Sequence, residues 1–412
     1  MKPKHLAPLL IAALAVPHAA VAAPGTYNVI WQFSGGADGA SPFGRLLADP
    51  QGGFFGATVD GGSNYAGTVF HLTAPAAGQT AWQESTVYAF GSSTADGANP
   101  AGDLVYSKTG RTVFGTTGNG GAAGLGTIFR LDPPASGTGS WISTTLHSFA
   151  GATDGANPRA GLIYCGAALC GTAVTGGTDN FGSVFKLTIP QQPGQAYVLS
   201  VLYAFDGGAD GGLPYAAATN DGAGGLLGTV SGYGGGQGGV FDLKPNAKPK
   251  QLPWQHSVAH EFFFTPSDGY TPLAPVLRIA STGVVYGTTY DGGATDGGAV
   301  YALTPGAGGW TETMLASFPA GCHPQGGLLA DGKGGFLGTT SGCGTSSLGT
   351  VFHLTPPTGT GGWQIVTVHN FAGGTDGAVP QGTLINGGHG IYYGTTLNGG
   401  SAGDGTVFSF TL

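Results

Sequence analysis

Gly182-Ser183-Val184-Phe185-Lys186-Leu187 is one version of a motif that the chain uses seven times. Gly67-Thr68-Val69-Phe70 and Gly126-Thr127-Ile128-Phe129 precede it. Gly238-Gly239-Val240-Phe241, Gly298-Ala299-Val300-Tyr301, Gly349-Thr350-Val351-Phe352 and Gly405-Thr406-Val407-Phe408 follow. Upstream of each stands a Gly-Thr-Thr or near variant, beginning at Gly56, Gly115, Gly171, Gly228, Gly287, Gly338 and Gly394, with gaps of 59, 56, 57, 59, 51 and 56 residues. A third marker is an apolar run ending in an aromatic: Phe33, Phe90, Phe149, Phe205, Phe263, Phe318 and Phe371. A period in the fifties signals a propeller or an array.

Each copy reads as four short strands, A to D, rich in β-branched and aromatic residues and bounded by glycine turns. In the third copy they cover Ala160–Tyr164, Ala168–Ala173, Ser183–Leu187 and Ser200–Phe205. Strand D opens on Trp82, Trp141, Tyr197, Trp254, Trp310 or Trp363, in most copies eight residues before the closing Phe. An even spacing predicts that both aromatics share one strand face, as core packing between sheets. The first such strand, Tyr27 to Phe33, has no partners of its own, and the chain stops at Leu412 just after a strand C. A ring in which the N-terminal strand completes the last blade resolves both loose ends and leaves no open edge. The expected fold is therefore all-β: a seven-bladed β-propeller forming a single domain over residues 23–412. Strand directions put the D–A and B–C loops on one face and the C–D loops on the other.

Composition agrees with a turn-dense β protein. Gly 82 and Pro 26 of 412 residues would suggest low complexity without the period. Only 8% of residues are charged, so charge-driven disorder is excluded, and long helices have little to build on. Residues 1–22 read as a signal peptide: Lys2 and Lys4, an apolar run from Leu6 to Val16, then Ala20-Val21-Ala22 as the cleavage signal. Removing it leaves 11 basic against 21 acidic residues, which argues against a nucleic-acid partner or an anionic membrane surface. The expected location is secreted or periplasmic.

Asp154-Gly155-Ala156-Asn157-Pro158, Gly161-Leu162-Ile163, Gly176-Gly177 and the hexapeptide at 182–187 resemble the GloVer (Gloeo/Verruco) tandem repeat of bacterial surface and exported proteins. The resemblance recurs through nearly all of the mature chain. It implies export and a repeat architecture, and it brings no shared catalytic residues.

Six copies carry Asp-Gly between strands D and A, at Asp38, Asp96, Asp154, Asp210, Asp268 and Asp376, with Pro three or four residues on. The structural reading is a turn in which Asp accepts backbone N–H bonds and Gly supplies positive φ. Near-identical spacing disfavours catalysis, which needs unequal neighbours to separate pKa values. The Asp/Asn-Gly-Gly turns after strand B lack EF-hand spacing, so no metal and no cofactor are expected. Glu84, Glu261 and Glu312 fall in or beside D strands, and His71, His147, His353 and His369 follow the repeat. His323 and His389 do not. Phe43, Arg159, Tyr215 and His323 are the candidate ligand residues on the D–A face, with Asp103 as a further off-pattern group.

Four cysteines in an exported chain suggest disulfides. Cys165 and Cys170 flank one hairpin. Cys322 stands in the D–A loop that lacks Asp, and Cys343 in the neighbouring B–C turn, so the expected pairs are Cys165–Cys170 and Cys322–Cys343. The functional expectation is an exported, monomeric, non-catalytic binding or scaffold module for a glycan or protein ligand. The alternative is a lyase or hydrolase acting on extracellular polysaccharide at the channel mouth.

Overall fold

The computed structural model describes residues 25–412 apart from 109, 136–138, 193, 233–236 and 247–251. The signal peptide expected at 1–22 lies outside the described residues. Seven antiparallel sheets, each with four strands in the order A-B-C-D, form a seven-bladed β-propeller. The first blade also pairs the short Ala40–Pro42 segment with its second strand. In the third blade the strands are Ile163–Cys165, Ala168–Ala173, Ser183–Thr188 and Val198–Ala204. The last blade takes its strands from both chain ends: Ile385–Gly388, Ile391–Thr396 and Thr406–Thr411, then Tyr27–Gln32 outermost. Tyr27 faces Phe410 and Gln32 faces Thr406 in that closing ladder. Phe33 N–H donates to the Gly405 carbonyl at 3.0 Å, Tyr27 stacks on His369 at 3.6 Å, and its hydroxyl donates to the Asp376 carbonyl at 2.7 Å. Among the described residues no helix is long and apolar enough to cross a membrane.

Two sequence markers share one cause. The Gly of Gly-Thr-Thr lies directly across the ladder from the aromatic of the hexapeptide, as with Gly56 and Phe70 or Gly171 and Phe185. A Cβ on any of these glycines would run into that ring. The paired threonines beside them meet hydroxyl to hydroxyl: Thr117 with Thr127 at 2.8 Å, and Thr340 with Thr350 at 2.8 Å. Each pair satisfies two buried polar groups inside the sheet.

The core lies between blades. Seven apolar clusters each join one sheet to the next, and each contains a fully or nearly fully buried Phe from the end of a strand D. Burying such a side chain contributes roughly 1.5–3 kcal/mol.

Two expectations are corrected here. Every strand D carries a β-bulge, as at Val87, where Thr86 faces Phe70 and Tyr88 faces Val69. The extra residue reverses the alternation. Trp82 therefore packs toward the last blade, with Phe54 and Tyr393, whereas Phe90 packs toward the second, with Leu104, Val113 and Phe129. The two aromatics of a strand D serve opposite interfaces, not one face. In the fourth blade the buried aromatic is Phe262, at 0% exposure, whose N–H bonds the Gly238 carbonyl; Phe263 is 50% exposed. Eight residues from Trp254 also reach Phe262, so the spacing held the right register.

Candidate ligand site at the channel mouth

The D–A loop sets the geometry of the mouth. Its proline follows a residue in left-handed conformation in all seven blades: Ser41, Asn99, Asn157, Leu213, Thr271, His323 and Val379, with φ between 53° and 58°. For Thr and Val this is unfavourable, of order 1–3 kcal/mol. Backbone bonds hold it in place. Asn99 N–H donates to Ala66 of the preceding blade at 2.8 Å, and its carbonyl accepts from Gly118 of its own blade at 3.0 Å. The proline then packs on the first glycine of the preceding blade's hexapeptide, where a Cβ would strike it: Pro100 on Gly67, Pro158 on Gly126. That glycine is at positive φ, +86° for Gly67 and +100° for Gly126, which glycine alone adopts freely.

The six loop aspartates hold the chain entering this turn. Asp38, Asp96, Asp154, Asp210 and Asp376 each accept the N–H of the residue four positions earlier, and Asp268 that of Phe263. The residue two before the closing Phe adds a side-chain partner: Tyr88 and Tyr203 at 2.9 Å, His147 at 2.8 Å and His369 at 3.1 Å. In the loop without Asp, that partner position is Ala316. There the Cys322–Cys343 disulfide joins the D–A and B–C loops, with a Cα separation of 4.4 Å. Cys165–Cys170 closes its hairpin at 5.8 Å.

Beyond the proline the chain turns into strand A and lines the channel. The next residue, in blade order, is Phe43, Ala101, Arg159, Tyr215, Leu273, Gln325 or Gln381, and all seven border one cavity of about 610 Å³. The residue after it is Gly or Ala in all seven blades, where the next blade's backbone crosses: a Cβ on Gly102 would sit 2.5 Å from the Ala160 carbonyl. Thr116, Thr172 and Thr229 hydroxyls donate to those crossing carbonyls, of Ala160, Ala216 and Ala274, at 2.8, 2.9 and 3.2 Å. One step deeper stand Arg45, Asp103 and Thr383.

Phe43, Arg159, Tyr215 and Asp103 thus border the same cavity. Asp103 is committed to Arg45, whose backbone N–H reaches it at 2.7 Å and whose Nε lies 3.4 Å away. Among the described residues Arg159 has neither an ion pair nor a hydrogen bond from its guanidinium. His323 does not border the cavity. Its ring stacks on Tyr290 at 4.4 Å, and its Nδ1 lies 3.1 Å from Asp291 Oδ1 and from the Tyr290 carbonyl. Burial pushes the Asp291 carboxyl up, and His323 offsets part of that. Arg45, Gln325, Gln381 and Thr383 complete the mouth. Aligning the copies on the loop proline would have found them, since the first and third residues after it point into the channel.

The opposite face carries Asp–His pairs on the first and sixth blades. His71 Nε2 lies 2.9 Å from Asp49, and His353 Nε2 lies 2.8 Å from Asp331. Burial works against the Asp49 carboxylate, but bonds from His71, the Gln51 N–H and Tyr106 together hold it below the usual range. Among the described residues no three His, Cys, Asp or Glu side chains gather as a metal site.

Solved structures similar to this chain include a periplasmic gluconolactonase from Pseudomonas aeruginosa, at 16% identity and TM-score 0.50, covering 85% of this chain and 93% of that one. A putative oxidoreductase (glucose dehydrogenase) from Thermus thermophilus aligns at 14% identity and TM-score 0.47, covering 93% and 99%. A putative 6-phosphogluconolactonase from Bacteroides uniformis aligns at 13% identity and TM-score 0.46, covering 81% and 85%. At 16% identity the likeness to the gluconolactonase concerns the propeller fold alone. No curated protein sequence matches the chain. The repeated turns, the glycine–aromatic pairs and the ring closure are the marks of one repeat unit throughout, and the chain belongs to the Gloeobacter/Verrucomicrobia repeat family, whose model matches residues 20–241 and 229–412.

Proposed function

We propose that this protein is an exported binding module that takes a glycan at the channel mouth. The observation that carries this reading is the ring of side chains just after the loop prolines. The scaffold positions recur from copy to copy, among them the glycine–aromatic pair, the loop proline and the Gly or Ala two residues after it, but here Phe43, Arg159, Tyr215 and Gln381 differ around one cavity. Repeated positions maintain the scaffold, whereas a ring that departs from the repeat serves something outside it. An exposed tyrosine, a free guanidinium and side-chain amides are groups that hold a polyhydroxylated ligand. Export is supported by the two disulfides, which persist in oxidising compartments. The enzymatic alternative needs a proton carrier facing the cavity. Asp103 is taken by Arg45 and His323 by Asp291, which favours binding. A glycan array run beside a turnover screen on exported polysaccharides tests this. Binding should appear without turnover and should fall at least tenfold when Phe43, Arg159 and Tyr215 are all alanine. Binding that survives the triple change, or turnover that disappears with it, would overturn the proposal.

A further inference from the structure

Resting on the glycan reading of the mouth, we infer that the sugar bound there carries a carboxylate, as a hexuronate residue does, and presents it to Arg159. The charge inventory is the first reason. Three charged side chains border the cavity, and Asp103 and Arg45 satisfy each other. That leaves one positive charge unmatched, on a chain whose formal net charge is -8. The surrounding field repels anions, so a guanidinium left without a carboxylate at a cavity wall marks a local exception. A guanidinium presents its N–H groups as a planar fork that fits a carboxylate in bidentate fashion.

The second reason is how Arg159 is seated. It follows Asn157-Pro158, the turn tied into two blades, so its backbone is fixed. Its stem lies over Gly118 of the preceding blade, where an added Cβ would sit 3.4 Å from the Arg159 Cγ. The head is thus offered from a rigid base. Its neighbours around the ring argue for a sugar and against a bare anion. Tyr215 is next in blade order and is 40% exposed. On the other side Ala101 places only a methyl group between Arg159 and Phe43 in the ring, and Phe43 is a second aromatic on the same cavity. Across the mouth Gln381 supplies an amide for hydroxyl groups, and Gln325, whose Nε2 donates to the Ser341 hydroxyl at 3.3 Å, adds its amide oxygen. The cavity, about 610 Å³, falls in the range of roughly 300–1,000 Å³ usual for small-ligand sites.

Calorimetry on the mature protein tests this with matched probes: oligosaccharides of galacturonate, alginate and glucuronate type, each beside its carboxyl-reduced form. Hydrogen bonds to a charged group are worth enough to separate such a pair about 10- to 100-fold. At least one acid form should bind that much more tightly than its reduced form. Arg159→Gln should bring the acid form down to the reduced one, Arg159→Lys should retain part of the difference, and Tyr215→Ala should weaken both forms. Equal binding of acid and reduced forms, both lost in Tyr215→Ala, would overturn the carboxylate inference and leave the glycan reading intact. Displacement of the acid sugar by equimolar acetate would also overturn it, because the anion alone would then suffice. Failure of these and all neutral glycans to bind would remove both.

Discussion

Because the N-terminal strand completes the last blade, Phe33 should matter as much as its equivalents inside continuous blades. Phe33 is fully buried, sits edge-on to Phe70 at 5.0 Å, and packs with Leu46, Phe54 and Val407. Phe205 is also fully buried and meets Phe241 at 5.4 Å in the equivalent interface. Truncating a buried Phe to Ala costs about 3–5 kcal/mol. Phe33→Ala and Phe205→Ala should both fall in that range, within about 1 kcal/mol of each other. Removing residues 23–33 should do more. It strips the whole Tyr27–Gln32 ladder and leaves Thr406–Thr411 as an open edge. Its cost should approach the roughly 5–15 kcal/mol that holds a typical domain together. Denaturant titration followed by tryptophan fluorescence and far-ultraviolet dichroism reads all three variants, with midpoints compared at an unchanged slope. A Phe33→Ala cost below about 1 kcal/mol, or a truncated chain that unfolds cooperatively at an unshifted midpoint, would refute the closed ring.

Two further outcomes follow from local chemistry. Serine at both Cys322 and Cys343, 21 residues apart, should cost about 3 kcal/mol, and at Cys165 and Cys170, only 5 apart, about 2 kcal/mol; non-reduced peptide mapping must first find both pairs closed. Glu84 has its carboxyl pushed up to about 7 by burial and by Asp38, against an ordinary 4.5. A raised carboxyl favours the folded state when protonated, so stability from this group should grow as pH falls from about 7 to 4.5 and be lost as pH rises again. Glu84→Gln should therefore be more stable than wild type at pH 8 by about 1 kcal/mol, after allowing for solvent screening, and equal to it at pH 4. A difference that does not change with pH would contradict this account.

The period, the number of blades, the ring closure and both disulfide pairs were legible in the residues. A repeat unit is a local object, and its turns and strands recur with their markers attached. Cys322 and Cys343 stood where the repeat broke, and that break pointed to their pairing. The phase of strand D was not legible. An even Trp-to-Phe spacing says one face, but the bulge at Val87 and its counterparts inserts a residue that no residue type announces. The mouth was half legible. Phe43, Arg159 and Tyr215 were conspicuous as departures from the repeat. Arg45 is visible in the sequence as the third residue after its proline, but its pairing with Asp103, 58 residues away and on the next blade, is not. His323 was conspicuous too, yet it faces Asp291 and Tyr290 outside the cavity. Sequence by itself determined what each blade is, because in six of the seven blades the strands pair and turn within one period. Only the tertiary structure decided what meets at the axis, because the ring brings together non-equivalent positions from all seven copies.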